Sequence, residues 1–299
     1  MRMILTPVAL FAVALSACGS NSDTGQAVLP SVVVTTSIAG DMVTAALGDL
    51  VGSALTVDII TPVGADAHEF APSAKQAETM ENADLLVVSG LGYEEGMTDL
   101  IANAMDAGAV TFVLGGALEP SEGVDPHVWL DPVLMSEVFA TFPEAVASTT
   151  GVPIADVSAN TAAYVAELVE LDATIIAAFA ANPDLQRNLV TSHDALSRFA
   201  DRYGFTIVDT IIPSVSTSAG ASAADLDGVL EAIRTNDVRA IFSETTESDA
   251  LAQAISDEIG RDVPVIELFT ESLGEPGNGA DTYIGMMATN AQLIADALS

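Results

Sequence analysis

The sequence predicts an α/β fold of two lobes. Each lobe has a mostly parallel four-stranded sheet flanked by helices, and one long rigid helix joins them. Three observations carry this reading. Short apolar, β-branched runs alternate with helical segments in two blocks. A single uninterrupted helical pattern separates the blocks. The only three histidines in 299 residues fall just beyond predicted strand ends.

The N-terminus comes first. Arg2 precedes an apolar run over residues 3–15, and Leu15-Ser16-Ala17-Cys18 follows. A short charged start, an apolar centre and small closing residues describe an export signal over residues 1–17. The run is too short for a stable membrane span. Cys18 is the only cysteine, so the chain can form no internal disulfide. Residues 18–30 are small and polar and read as a flexible tether.

Alternation then begins. Residues 31–37 (SVVVTTS) read as a strand, 38–47 as a helix, and 55–61 (LTVDIIT) as a strand ended by Pro62. Helices over 74–83 and 94–107 alternate with strands over 84–89 and 111–114. Near-continuous apolar strands of this kind suit a parallel sheet covered on both faces. Asp131 can cap a helix that starts at Pro132. The first lobe is thus expected over 31–150.

Residues 151–183 are the expected connector. Its helix runs over 155–181, from just after Gly151-Val152-Pro153 to just before Pro183. Tyr164, Leu168, Leu171, Ile175 and Phe179 keep to one face. At 1.5 Å per residue the helix spans roughly 40 Å. The second lobe, 184–299, is expected to hold strands over 188–192, 206–211, 240–243 and 264–269. Helices are expected over 194–203, 224–235, 248–260 and 282–298.

Composition narrows the function. Eight Lys and Arg against 42 Asp and Glu leave a formal charge of −34. So few cations cannot neutralise phosphates, which excludes nucleic acid as a partner. The diffuse acidity reads as a solvated surface.

His68 lies past the strand over 55–61, His127 past the strand over 111–114, and His193 directly after the strand over 188–192. In open α/β sheets, ligands bind beyond the carboxyl ends of strands. Two histidines come from the first lobe and one from the second, so an interlobe cleft could unite them. Neutral imidazole is the commonest transition-metal ligand, and three suit zinc. Zinc needs a fourth ligand, for which the last loop offers Glu271, Glu275 and Asp281. Glu69, Asp125, Asp131 and Asp194 lie near the histidines in sequence and are candidates to hold imidazole N–H groups. The bland alternatives are helix capping for Asp131 and surface charge for Glu69.

Four segments are recognisable. They are His68-Glu69-Phe70 with Pro72-Ser73, Asp125-Pro126-His127-Val128-Trp129-Leu130-Asp131-Pro132, Ser192-His193-Asp194-Ala195, and Asp281-Thr282-Tyr283-Ile284-Gly285-Met286-Met287 with Asn290. With them, nearly the whole mature chain resembles the zinc and manganese solute-binding lipoproteins of bacterial ABC importers, periplasmic solute-binding protein family 9. The Leu-Ser-Ala-Cys ending likewise resembles a lipoprotein signal, which implies acylation of Cys18.

The resemblance implies two lobes on a rigid helix, with a metal site in the cleft between them. It implies His68, His127, His193 and Asp281 as ligands, and a bound Zn2+, with Mn2+ or Fe2+ as alternatives. His193 favours zinc, because members with glutamate at that position tend toward manganese. The histidine-rich loop of zinc-dedicated members is missing from 115–124. The implied protein is an exported monomer, lipid-anchored at the outer face of the cytoplasmic membrane. Its partners would be an ABC permease and its ATPase, with no catalysis.

Two rival functions fit parts of this pattern. A surface adhesin or metal buffer would share the site without a transporter. A zinc hydrolase would need an open coordination place, and neither H-E-x-x-H nor G-x-S-x-G is present.

Overall fold

Val32, Val33 and Val34 are completely buried, as expected of a strand with neighbours on both sides and helices on both faces. They belong to β1 (Ser31–Val34), which pairs in parallel with β2 (Thr56–Ile59) and β3 (Leu85–Val88). β4 (Val110–Val113) completes the sheet in the order β2-β1-β3-β4. In this computed structural model, residues 28–118 and 124–299 are described. The expected export signal, Cys18 and most of the tether lie outside the described residues.

The connections are helical. α1 (Ser37–Leu47) follows β1, and Thr36 caps it by accepting the Ala39 N–H. α2 (Ala74–Glu81) starts with a capping box between Ser73 and Gln76. The segment expected as one helix over 94–107 opens instead as a 3-10 turn, Glu95–Met97, and only then becomes α3 (Thr98–Ala107). The cause is Glu94. Its buried carboxylate accepts Thr35 Oγ1 and the N–H groups of Ser89 and Gly90, which draws the chain back to the strand ends.

Asp131 caps α4 (Pro132–Phe139), with its Oδ1 accepting the N–H groups of Val133 and Leu134. α5 (Phe142–Thr150) follows and ends on Gly151 in the left-handed region, φ 72°.

α6 (Ile154–Ala180) is 27 residues long. Every member of its expected apolar stripe is at most 4% exposed. Near its start, Asn160 and Thr161 donate to the carbonyls of Leu47 and Ala46 at the end of α1.

The second sheet repeats the first. β5 (Asn188–Thr191), β6 (Thr206–Thr210), β7 (Ile241–Glu244) and β8 (Val265–Leu268) run parallel in the order β6-β5-β7-β8. α7 (Ser197–Tyr203), α8 (Ala223–Thr235) and α9 (Ala250–Ile259) link them. Toward the end of α6, Asp172 holds the Arg202 guanidinium of α7 in a two-pronged pair at 2.8 and 2.5 Å. Phe179 packs edge-on against Phe199, Tyr203 and Phe205.

α10 (Tyr283–Leu298) was expected with the second lobe, but it is shared. It packs on α6 and α1. Its first N–H, on Tyr283, donates to Asp41 Oδ2 of α1 at 2.7 Å. Its last carbonyl, on Leu298, accepts Gln186 N–H and Arg239 Nη1 from the second lobe. Two helices, α6 and α10, therefore bridge the lobes. One apolar core runs from Val32 and Leu85 through Leu168 and Phe179 to Phe199, Phe242 and Met286.

Candidate metal centre

All strands of both sheets point their carboxyl ends toward the cleft, so the loops beyond them converge. His68 sits after β2, with its N–H donating to Asp66 Oδ1 at 2.8 Å. His127 precedes a 3-10 turn, Val128–Leu130. His193 lies two residues after β5. The three imidazoles meet there, 2%, 0% and 0% exposed.

The acid that joins them is Glu271, three residues past β8 and 1% exposed. Ligand atoms of His68, His127, His193 and Glu271 lie within 4.8 Å of one another. Asp281, the ligand expected from the resemblance, stands outside this group. It is exposed, and its carboxylate accepts the Gly277 N–H at 2.8 Å within its own loop. The chain between β8 and α10 is long enough to carry several acids past the cleft, and it is the buried one that faces the histidines.

Four ligands at about 2.1 Å from a tetrahedral zinc would stand about 3.4 Å from one another. His127 Nε2 is 3.3 Å from His193 Nε2 and 3.2 Å from Glu271 Oε1. His193 Nε2 is 3.6 Å from Glu271 Oε1, and His68 Nε2 is 3.8 Å from Glu271 Oε2. The spacings among His127 Nε2, His193 Nε2 and Glu271 Oε1 are near the edges of such a tetrahedron, while His68 approaches the other Glu271 oxygen. Both nitrogens of His68 and Glu271 Oε1 are buried without a hydrogen-bond partner. Buried polar atoms are rarely left so, which makes the group a candidate site for a cation.

Surrounding groups orient the ligands. Asp125 Oδ1 accepts both the backbone N–H and Nδ1 of His127, at 2.9 and 2.7 Å. His193 Nδ1 lies 2.5 Å from Glu244 Oε1. Tyr93 donates to Glu271 Oε2 at 2.6 Å. Of the four acids near histidines in sequence, only Asp125 contacts one. Asp131 caps α4, Asp194 accepts Ser197 Oγ at 2.5 Å, and Glu69 is exposed. Sequence reasoning missed Glu244, Asp66 and Tyr93. Glu244 was findable, since it is the last residue of β7 and strand ends had already located the histidines.

The electrostatics follow from burial and these neighbours. Burial presses the His127 pKa down, but the Glu271 and Asp125 carboxylates outweigh it and push it up to about 10. Burial also opposes charge on His193, yet Glu244 and then Glu271 raise it. At His68 burial wins over the Glu271 charge, and the pKa falls. Burial would raise Glu271, but the three imidazoles bring it down to about 2. The cluster thus pairs an ionised carboxylate with a protonated His127 and a neutral His68.

Known proteins resemble this chain along most of its length. Residues 32–297 match the family model of zinc-uptake complex component A, periplasmic. The chain is 28% identical over 299 residues to the manganese-binding lipoprotein MntA of Halalkalibacterium halodurans, covering 98% of this chain and 97% of that one. It is 30% identical over 247 residues to the zinc-binding protein TroA of Treponema pallidum, covering 79% of each. The iron ABC transporter substrate-binding lipoprotein MtsA of Streptococcus pyogenes is 27% identical over 95% of this chain and 94% of its own length. The solved structure of the Treponema pallidum protein superposes with a TM-score of 0.82 over 91% of this chain and 99% of that one. The match to that family model over residues 32–297 shows that this chain belongs to the ZnuA family.

Proposed function

We propose that this protein captures a divalent transition metal outside the cytoplasm and delivers it to an ABC permease powered by its ATPase. The observation that carries the reading is the convergence of His68, His127, His193 and Glu271, whose ligand atoms lie within 4.8 Å of one another, with both His68 nitrogens buried and unpartnered. The proposed cargo is Zn2+. Three imidazoles and one carboxylate suit it, and affinity order favours it over Mn2+ and Fe2+. Relatives named for zinc, manganese and iron make the other two ions the necessary competitors.

A complete four-ligand shell leaves no open place for a reacting water, which favours carriage over catalysis. Acylation at Cys18 would hold a monomer at the outer face of the cytoplasmic membrane, as suits relatives named lipoproteins. Competitive titration of stripped protein with Zn2+, Mn2+ and Fe2+, with elemental analysis of the protein as isolated, tests the reading. Zinc should win. Manganese filling in the presence of zinc would move the cargo assignment, and failure of all three ions to bind would remove the function.

A further inference from the structure

Glu271 follows the last strand of the second sheet, yet its loop is fastened to the first lobe. Trp129 Nε1 donates to the Thr270 carbonyl at 2.8 Å. Tyr93 Oη donates to Glu271 itself. The Gly64 N–H donates to Ser272 Oγ at 2.7 Å, and Ser37 Oγ lies 3.3 Å from that same oxygen. Farther on, Tyr283 bonds Asp41 through its N–H and the Trp129 carbonyl through its hydroxyl, the latter at 2.6 Å. The last strand residue, Leu268, still accepts Thr245 N–H from the second lobe. At the next residue, Phe269, both backbone groups turn to the Asn290 side chain on α10. The change of allegiance falls between Leu268 and Phe269.

His193 is held differently. Its carbonyl accepts Thr191 Oγ1, and its Nδ1 faces Glu244. Both partners belong to the second sheet. Among the described residues, apart from the buried 3.3 Å contact between His193 Nε2 and His127 Nε2 inside the site, the side-chain hydrogen bonds that join the second lobe's own loops and helices to the first lobe lie nearer the surface. Thr217 donates to Asp66, Ser218 to Glu95, and Arg198 to the Asp125 carbonyl. These are part-buried or exposed, so water can replace them at little cost. The Trp129, Tyr93 and Tyr283 bonds are buried, and breaking them would strand polar groups away from water.

We propose that the metal centre is built as three ligands plus one. His68, His127 and Glu271 form a preassembled set on the first lobe. His193 is a gate carried by the second lobe, and opening withdraws it alone. Water then takes its place on the metal, which weakens the hold and prepares release. This rests on the metal-capture reading above.

Cobalt(II) titration of stripped protein tests it, because its visible absorption is strong in a four-coordinate shell and weak in a water-expanded one. His193→Ala should still bind one cobalt per chain, more weakly than the parent and with a fainter band. His127→Ala and Glu271→Ala should bind none at concentrations that saturate the parent. Equal loss in all three variants would overturn the three-plus-one division. An unmutated protein that binds neither cobalt nor zinc would instead overturn metal capture. Hydrogen exchange on the unmutated protein gives a second readout that does not depend on variants folding. Stripping the metal should expose the amides of 192–194 and 214–218 while those of 270–273 stay protected. Equal exposure of both groups would also overturn the proposal.

Discussion

The two lobes share one topology and differ in how they use charge. Between residues 31 and 150 the only cation is Lys75, whereas residues 151–299 hold six arginines. Most of these are internal ties. Arg187 stacks 4.6 Å over Phe205, Arg202 grips Asp172, and Arg239 and Arg261 donate to carbonyls at the ends of α10 and α8. Cations at helix carboxyl ends also complement the helix dipole. The first lobe makes its ties with buried tryptophan and tyrosine bonds, and those bonds hold the Glu271 loop. The difference teaches that the Glu271 loop is fastened to the first lobe by buried aromatic bonds, while the second lobe is braced separately by its own arginines.

Four experiments would break or sharpen that contrast. The largest effect is expected at the acid. Glu271→Gln should weaken zinc binding by at least about a hundredfold, roughly 3 kcal/mol, while Asp281→Asn should leave it unchanged. Competition titration distinguishes them, and a larger effect at Asp281 would reject the geometry. Next, Asp172→Ala should leave Arg202 unpaired beside α6 and cost about 2 kcal/mol in a thermal or urea melt, less than a fully buried pair because Arg202 is partly exposed. Lys75→Ala in the first lobe should stay within about 0.5 kcal/mol.

The third concerns pH. His127 in the metal-free protein holds its proton up to about 10, so a metal must displace that proton throughout the neutral range. Affinity should therefore rise with pH from neutrality toward 10, with protons released from His127 and, because its pKa is raised too, from His193. Calorimetry in buffers of different ionisation heat measures it, and a proton count of zero would contradict the assignment. The sign for the metal-free fold is opposite. His127 is raised from 6.5, so its stabilisation is full below 6.5 and is lost as pH climbs through about 10. Glu271 is lowered from 4.5, so its share is full above 4.5 and is lost as pH falls through about 2. The fourth is at the bond from Trp129 to the Thr270 carbonyl. Trp129→Phe removes one buried bond, costs about 1 kcal/mol, and should speed metal loss in stopped-flow chelation.

Much of this was legible in the chain. The eight strands of the described residues appeared as short apolar runs; burial on both faces demands this of the inner strands β1, β3, β5 and β7, while edge strands such as β2 stay partly exposed. The long helix was bounded within one residue at each end, since Pro153 and Pro183 flank a single stripe. The three histidines were found by their places at strand ends. The acid was not, because Glu271, Glu275 and Asp281 share one irregular loop without periodicity. The apportioning of α10 was also hidden. Its helical pattern shows that a face is buried but not against which lobe.

The sequence by itself determined the local order: which segments are strands, where helices start, and which residue types stand at the strand ends. Those follow from side-chain period and capping, which act over a few residues. Only the tertiary structure decided that Glu271 closes the histidine set, that Glu244 faces His193, and that the loop after β8 is fastened to the first lobe. Each of these depends on atoms brought together across long stretches of chain. Such contacts are set by how two sheets and two bridging helices pack, and no local pattern records them.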